Sequence, residues 1–308
     1  MKNRLTYFIL CLLFLGSGML QAQTPSDAIM MKKGEICIAA VYENSWFDHY
    51  WEGTYLRTNG TIATVKRDMV NPMAAFGLTD WLNFLASCPY VSTRSTEPNG
   101  GKFEGASGFQ DLGLALKAEF LNKTLGTGNL SAFGVVGYST PITNYLSDYR
   151  PYSIGFGADQ LTVRGILQYQ LENGLYFRGA LAYLQRGSTE AERDYYYNNG
   201  SFYTAWMDVP SAWNYHVVAG KWMLENSLKL ELNYQGLNST SGDDVRAYNA
   251  AQPTNKVDFG QLGFSAQYYF KKLKGLGVLA FANQVLSGRN IGKTTALGGG
   301  FTYQFKVY

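Results

Sequence analysis

Charged residues, histidine and cysteine are all scarce in this 308-residue sequence. Asp, Glu, Lys and Arg together make up 16% of the chain, against about 25% in an average soluble domain. The two histidines and three cysteines form no group with the spacing of a metal site. We therefore expect no metal and no cofactor.

Long apolar runs and basic blocks are also missing once the N-terminus is set aside. No later segment stays apolar over the roughly 20 residues that a membrane-spanning helix needs. The net charge is +3, and without a block of like charges it gives no reason to expect a nucleic-acid partner. Aromatics, in contrast, reach 15%, with 23 tyrosines, and glycine occurs 34 times. This composition suits a chain that faces lipid on one side and water on the other.

The N-terminus has the organisation of a secretory signal peptide. Lys2 and Arg4 precede an apolar stretch over residues 5–20, and the small residue Ala22 follows. We predict cleavage after Ala22, since the alternative, an N-terminal membrane anchor, is barely long enough to span. Residues 23–308 then form one domain, of a size that is normal for a closed β-barrel.

Two cysteines, Cys37 and Cys88, belong to this predicted domain. The strand assignment below places them two strands apart, which is about 10 Å and beyond the reach of a disulfide. We expect two free, buried thiols.

An alternation with period two runs through the chain. In residues 109–121, Leu112, Leu114 and Leu116 share one parity, while Asp111 and Lys117 share the other. A strand with one apolar and one polar face produces this pattern, whereas a helix would scatter the leucines. The same alternation recurs in residues 161–171, 175–186, 228–235 and 261–270.

Short turns alternate with long polar and aromatic loops, as in transmembrane barrels with turns on the periplasmic side. The turns are predicted at residues 77–80, 122–129, 172–174, 225–227 and 271–275, and the loops at about 47–57, 94–107, 141–158, 188–213 and 241–256. The fold class is therefore all-β, a transmembrane antiparallel up-and-down β-barrel of about twelve strands. The strands are expected near residues 35–47, 58–76, 81–93, 108–121, 130–140, 159–171, 175–187, 214–224, 227–240, 257–270, 275–287 and 293–305. A hairpin within residues 195–210 would raise the number to fourteen.

A soluble β-sandwich or lipocalin-like barrel is the alternative fold. It would bury its apolar face inside, on strands of about five or six residues. The strands here are longer, close to the ten or so residues that cross a bilayer. The last strand carries alternating aromatic residues, Phe301, Tyr303 and Phe305, as in outer-membrane barrels that the barrel-assembly machinery recognises. Tyr308 does not fit this alternation, so the strand either ends at Phe305 or contains a bulge.

Two stretches resemble the outer-membrane β-barrel family of the MetA-pathway of phenol degradation type. They are Phe76-Gly77-Leu78-Thr79-Asp80 with Pro89-Tyr90-Val91, and Gly108 followed by residues 111–117, DLGLALK. The resemblance implies a porin-like channel for hydrophobic or aromatic compounds in a Gram-negative outer membrane, akin to long-chain fatty-acid channels. Those channels have an N-terminal plug, and residues 23–34 are too few for one. We therefore expect inward-folded loops to control passage.

Charged residues of the polar parity are the candidates for lining the lumen. They are Asp111, Lys117, Glu119, Arg164, Arg178, Arg186, Lys221, Lys229 and Glu231. They either tune the solute preference of a water-filled pore or pair with one another and fill a closed interior. A barrel of about twelve strands lies between packed small barrels and open porins, so both interpretations stay open.

Two loops are rich in aromatic residues. Such residues either contact apolar ligands or form the girdle at the lipid headgroups. We assign Trp46, Tyr50, Trp51 and Trp213 to the girdle and consider Tyr195, Tyr196, Tyr197, Tyr203 and Trp206 as ligand contacts.

Enzymatic chemistry has little support. A barrel phospholipase would need a serine two residues after its histidine, but Val218 follows His216 at that spacing, and His49 lies in a loop. We expect an outer-membrane channel, in contact with lipid, for small hydrophobic or aromatic solutes. The alternative is a non-transporting barrel with a structural or adhesion role.

Overall fold

The computed structural model describes residues 23–60, 62–99, 103–198, 200–246 and 251–307. The predicted signal peptide, residues 1–22, and the terminal Tyr308 lie outside this range. Within the described part of the chain, no helix is long and apolar enough to cross a membrane.

Twelve long strands form one closed antiparallel barrel, in which β1 pairs with both β2 and β12. They are β1 (Glu35–Phe47), β2 (Val65–Gly77), β3 (Leu82–Ser87 and Tyr90–Asn99), β4 (Phe103–Phe109 and Asp111–Leu125), β5 (Gly128–Pro141), β6 (Gln160–Leu171), β7 (Leu175–Arg186), β8 (Ala212–Met223), β9 (Leu228–Ser239), β10 (Asp258–Tyr269), β11 (Leu276–Arg289) and β12 (Thr295–Lys306). The predicted twelve-stranded barrel is confirmed.

Further short strands lie in the loops and do not enter the barrel. In the first loop, His49–Glu52 pairs with Tyr55–Thr58. In the loop between β7 and β8, Ser188–Glu190 pairs with Trp206–Asp208, and Tyr196–Tyr197 pairs with Ser201–Phe202. The hairpin considered within residues 195–210 therefore exists, but it leaves the number of barrel strands at twelve.

Three boundaries differ from the prediction. The second strand begins at Val65 and not at residue 58, because residues 49–58 form the separate hairpin. The predicted loop over residues 94–107 is mostly strand, since β3 and β4 continue to residues 99 and 103. Both faces of these extensions carry polar residues, so alternation gives no signal there. The turn expected over residues 122–129 shortens to residues 126–127, because β4 reaches Leu125.

The apolar faces of the strands point away from the barrel axis. In β6, Leu167 is 58% exposed, whereas its neighbour Ile166 is 1% exposed. The same contrast separates Phe177, which is 55% exposed, from the buried Tyr176 on β7. A soluble barrel would show the reverse arrangement, so the outward apolar band is that of a barrel surrounded by lipid.

Aromatic rings cover glycines on adjacent strands, which explains why both residue types are abundant. The ring of Tyr215 lies so close to Gly236 that a Cβ there would be 2.0 Å from it, and Tyr234 covers Gly260 in the same way. The rings shield the exposed glycine backbone, as cross-strand aromatic residues do in other sheets.

The hairpin between β6 and β7 shows how the short turns are built. Gly174 has a φ of 83° and donates a backbone hydrogen bond of 3.0 Å to Leu171 O. The side chain of Asn173 accepts from the Leu175 N–H at 3.0 Å. Glycine adopts this left-handed conformation without strain, so the turn stays tight.

Both remaining cysteines are free. Cys37 is buried on the inward face of β1, as expected. Cys88 is only half-buried, because it lies between the two segments of β3. The expectation of a second buried thiol was therefore wrong.

Candidate functional site

The N-terminal segment, residues 23–33, enters the barrel from the turn side. Ile29 and Met31 are 7% and 1% exposed and pack against the inward-facing Cys37, Leu85 and Phe133. The expectation that this stretch is too short to plug the lumen was wrong. A barrel of twelve strands has a narrow interior, and a dozen residues are enough to fill its turn-side half.

A buried ion pair holds the segment to the wall. The Lys117 ammonium lies 2.7 Å from Asp27 Oδ1, with side-chain exposures of 0% and 7%. The same ammonium donates to Thr24 O at 3.2 Å, and the Asp27 carboxylate accepts from the backbone N–H groups of Ile29, at 2.9 Å, and Thr24. Each charged group is hydrogen-bonded from several sides, which is the condition for a buried pair to be tolerated.

The turn between β2 and β3 anchors the other end of the segment. A Cβ at Gly77 would lie 2.1 Å from Lys32 O, so only glycine lets the two backbones meet. The Gly34 N–H donates to Gly77 O at 2.9 Å, and the Lys33 N–H donates to Asp80 Oδ1 at 3.0 Å. The Gly-Leu-Thr-Asp stretch of this turn is thus a docking point for the N-terminal segment.

A second cluster of charges fills the lumen beside the segment, on β7 and β9. Arg178 Nη2 lies 3.0 Å from Glu231 Oε1, and the Tyr176 hydroxyl donates to the same oxygen at 2.6 Å. Lys229 Nζ is 3.9 Å from it, and Arg178 Nη1 donates to Gln168 Oε1 at 3.4 Å. One carboxylate thus holds two cationic groups inside the lumen, and the cavity left beside them is only about 90 Å³.

A cavity of about 340 Å³ lies above the segment, toward the loops. Gln23 and Pro25 form its floor, and among the described residues of its lining Arg164 alone is charged. The remaining lining combines polar side chains, such as Asn214, with apolar ones, such as Leu237. The lumen is therefore closed toward the turns and hollow in its middle.

On the loop side of the cavity, an aromatic ring lies between two guanidinium groups and packs with Leu184 and Leu237 of the cavity lining; we call this group the mouth. Phe156 has Arg150 on one side and Arg186 on the other, at 4.6 Å and 4.7 Å from its centroid. Arg186 Nε donates to Gln160 Oε1 at 2.9 Å, and Arg186 Nη1 donates to Pro210 O at 3.1 Å. Burial, together with the neighbouring Arg186, lowers the pKa of Arg150 to about 10. The guanidinium groups stay protonated near neutral pH and make the mouth positive.

The other candidate residues lie near the ends of the strands. Asp111 accepts a 2.6 Å hydrogen bond from the hydroxyl of Tyr145, in the loop between β5 and β6. Glu119 accepts from Asn122 at 2.7 Å, on the turn side. Lys221 pairs in register with Leu175 and is exposed on the outer face, so its assignment to the lumen was wrong.

The hydrogen-bond ladder of the barrel wall is interrupted beside the cavity, by one proline on β2 and one on β3. Pro72 in β2 accepts a hydrogen bond from the Cys88 N–H at 3.2 Å but has no N–H to return it. Pro89 accepts from the Gln110 N–H at 2.9 Å, and its missing N–H is directed toward β4. At this point β3 has lost one ladder bond to each neighbour.

Residues of both faces line the cavity near this weak point. Ala74, Ala86 and Leu114 pair with one another across β2, β3 and β4, and the register places them on the outer face. All three nevertheless belong to the lining. The cavity thus borders the barrel wall at this point.

The candidate aromatic contacts in the loops separate into buried and exposed residues. Tyr196 is 7% exposed and stacks on Phe202 with ring centroids 5.4 Å apart, in a small core with Met207. Tyr197 accepts a hydrogen bond from Gln252 through its carbonyl. Tyr195, Tyr203 and Trp206 are 60%, 86% and 57% exposed. The buried Tyr196 and the half-buried Tyr197 support the loop, and the three exposed residues remain available to a ligand.

The predicted girdle fits only in part. Trp213 is outward-facing on β8 and packs on Tyr183 at 5.0 Å, and Trp46 faces outward on β1. Tyr50 and Trp51 belong to the first hairpin, and Trp51 is 8% exposed because it packs over Gly288. Its assignment to the lipid boundary was therefore wrong.

Several residues that shape the lumen escaped the sequence reasoning. Asp27 and Arg150 lie in segments without periodicity, so no pattern places them inside the barrel. The two prolines gave a usable signal, since proline in the middle of a strand disfavours a central position.

The two histidines of the sequence lie far apart in the structure. His216 faces inward on β8, opposite Ala180, and His49 lies in the first hairpin beside Asp48.

Comparison with known proteins agrees with this fold. The COG4313 outer membrane channel from Pseudomonas putida F1 superposes with a TM-score of 0.73 over 92% of this chain and 100% of that chain, at 12% identity. The translocator domain of autotransporter NalP from Neisseria meningitidis reaches 0.44 over 99% and 94%, at 13% identity. The NanC porin reaches 0.46 over 87% and 98%, at 6% identity.

Of these three, the first alone is similar enough to support an inference, and at 12% identity that inference concerns the fold. No protein-family model and no curated protein sequence matches the chain.

Proposed function

We propose that this chain is an outer-membrane channel for small hydrophobic or aromatic solutes. The observation that carries the proposal is the mid-lumen cavity, which borders the wall next to the interrupted part of β3. A solute that enters from the loop side would find an apolar exit toward lipid there without crossing the packed turn-side half.

The surroundings of the barrel support the outer membrane as its location. The apolar band on the outer face requires lipid, and a closed barrel has no open strand edge that would be exposed to it. The fold is shared with a protein described as an outer membrane channel. The predicted signal peptide and the aromatic parity of β12, for recognition by the barrel-assembly machinery, complete the proposal.

The exposed loop aromatics would supply the first contact with a solute. Tyr203 is the most exposed of them, and its ring lies 6.0 Å from that of Tyr195. Flat apolar molecules bind well to such rings. We propose a path from these rings past Phe156 into the cavity, with the turn-side plug directing the solute toward the wall.

The test is uptake of the neutral fluorescent aromatic N-phenyl-1-naphthylamine by porin-deficient bacteria that express the chain. Expression should accelerate the fluorescence rise, and Ala86→Phe, which narrows the wall side of the cavity, should reverse most of the gain. Ala266→Phe is the matched control, since Ala266 also faces outward but lies across the barrel on β10. Deleting residues 195–206 should slow uptake and leave the heat-modifiable gel mobility of the folded barrel unchanged.

A non-transporting barrel is the second candidate, because the segment at residues 23–33 and the Glu231 cluster close the turn side of the lumen. Uptake that is the same with and without the chain, together with a planar bilayer silent at all voltages, would favour this candidate and remove the channel proposal.

A further inference from the structure

Arg164 differs from Arg178 and Arg186, the other two arginines that face the barrel interior on β6 and β7. Arg178 pairs with Glu231, and Arg186 donates to Gln160 and Pro210. Among the described residues, Arg164 has neither an ion-pair partner nor a hydrogen-bond partner, and its Nε is buried. A buried guanidinium nitrogen without a partner or a counter-charge is costly to the fold, and an anionic ligand would offset that cost.

The position of Arg164 connects this charge with the cavity. Arg164 faces inward in the middle of β6, where it pairs in register with Val135 on β5 and Ala182 on β7. It is one of the residues that line the cavity of about 340 Å³. Within the part of the chain that the structure describes, no acidic residue lines the cavity, so the lining does not neutralise the charge.

The rest of the lining is suited to a molecule with two different ends. Leu85, Leu184 and Leu237 offer apolar surface, while the side chains of Ser87, Asn214 and Gln235 offer polar groups. A volume of this size lies at the lower end of the range for small-molecule sites and accommodates one aromatic ring with a short substituent.

We propose that the cavity is a binding site for small organic carboxylates with an apolar or aromatic body, held by Arg164 through their carboxylate. A planar guanidinium matches a carboxylate with two parallel N–H···O bonds, which gives orientation as well as affinity. The ring then lies against the leucines. This inference rests on the proposed function, because it names the solute class of the same cavity.

The mouth favours the same class of solute. Arg150 and Arg186 stand on both sides of Phe156, between the loops and the cavity. Their positive charge raises the local concentration of anions that also have a ring to stack on Phe156. A neutral aromatic gains only the stacking, and a bare inorganic anion gains only the charge.

The test compares 4-fluorobenzoate with 4-fluorobenzyl alcohol, a neutral compound of similar shape, by ¹⁹F NMR titration of the full chain in detergent. Wild-type protein should bind the carboxylate at least about tenfold more tightly than the alcohol. Arg164→Gln should remove this preference and change the affinity for the alcohol less than about twofold. Arg164→Lys keeps the charge but loses the planar guanidinium. Its preference for the carboxylate over the alcohol should lie between those of the wild type and Arg164→Gln.

Arg94→Gln is the matched control, since Arg94 is an outward-facing arginine with a 63% exposed side chain. It removes the same charge and should leave both affinities unchanged. Folding of each variant is checked by heat-modifiable gel mobility, and if Arg164→Gln does not fold, the comparison of the two ligands on wild-type and Arg164→Lys protein decides.

Equal affinity of wild-type protein for the two compounds would overturn the inference, with water alone then satisfying Arg164. Competition by sulfate as strong as that by benzoate would overturn the assigned class, since it would indicate a site for bare anions. These outcomes are separate from the uptake assay with the neutral probe, which does not involve Arg164. Uptake without a carboxylate preference leaves the channel proposal standing, and carboxylate binding without uptake leaves a binding barrel.

Discussion

Replacing Asp27 with asparagine should release the N-terminal segment from the lumen. The substitution keeps the size of the side chain and removes one charge of the pair with Lys117, whose Nζ is 2.7 Å away and whose side chain is 0% exposed. The ammonium would then stay buried beside Arg178 and Lys229, two charges of its own sign. Withdrawal of the segment admits water to Lys117 and relieves this penalty.

The magnitude follows from the burial of both partners. Removing one member of a buried ion pair costs about 3–5 kcal/mol, because the other charge is left uncompensated. If that cost falls on the inserted state alone, the ratio of inserted to released segment falls by roughly two to nearly four orders of magnitude. A segment that is firmly inserted in the wild-type protein would then be withdrawn for a measurable fraction of the time.

Cys37 provides the readout, because it is 3% exposed and lies beneath Ile29 and Met31. In a Cys88→Ser background, labelling of Cys37 by a water-soluble maleimide should be slow in the parent and much faster with Asp27→Asn. The released segment should also raise single-channel conductance in planar bilayers, since the turn-side half of the lumen becomes free.

Two further variants decide whether the charge is responsible. Glu52→Gln makes the same carboxylate-to-amide change in the first hairpin, where Glu52 pairs with Arg57 at 2.6 Å, and should leave labelling slow. Adding Lys117→Met to Asp27→Asn removes both charges at similar volume and should restore most of the protection. Unchanged protection of Cys37 in Asp27→Asn, or no rescue in the double variant, would refute this reasoning.

Three other predictions concern the turn, the wall and the loops. Gly77→Ala should speed the maleimide labelling of Cys37, because the new Cβ would collide with the carbonyl of Lys32 in the N-terminal segment. Gly165→Ala is the control: a Cβ there meets nothing within 4 Å, so the labelling rate should not change. Pro89→Ala supplies an N–H to the β3–β4 ladder and should slow uptake of the neutral probe severalfold, and uptake as fast as in the wild type would argue against passage at this point. Two hydrogen bonds from Arg289 hold the pKa of Asp244 below its ordinary value. The tie between the β9–β10 loop and the end of β11 should therefore be complete above a pH of about 3.9 and weaken as the pH falls further. Amide hydrogen exchange in the β9–β10 loop should show this pH dependence in the parent and lose it in Arg289→Gln.

The strands of the barrel could be predicted because each one has water-filled or packed space on one side and lipid on the other. That environment imposes a strict alternation, as Leu112 to Lys117 show in β4. The alternation also assigns the inward charges, since parity alone separates Arg178 from Phe177. It fails at strand ends, where both faces meet water or headgroups, and Lys221 was misassigned at such an end.

The contents of the lumen could not be predicted in the same way. Lys117 and Asp27 are 90 positions apart, and the segment that carries Asp27 has no period that would reveal where it packs. The loop with Arg150 and Phe156 is equally irregular. The partners of an inward charge depend on which irregular segment folds into the barrel. A single sequence has no pattern that identifies this segment.

The two prolines beside the cavity have a thermodynamic consequence for the wall. A ladder hydrogen bond contributes about 1 kcal/mol net, so the absence of one bond on each side of β3 makes separation of either seam roughly fivefold more frequent than at an intact ladder. Elsewhere in the barrel, a solute moving sideways would have to break bonds that the fold has made. At Pro72 and Pro89 the solute would pass where those hydrogen bonds are absent. The free-energy cost of opening the wall would therefore be lower there, and less of it would have to be offset by binding of the solute.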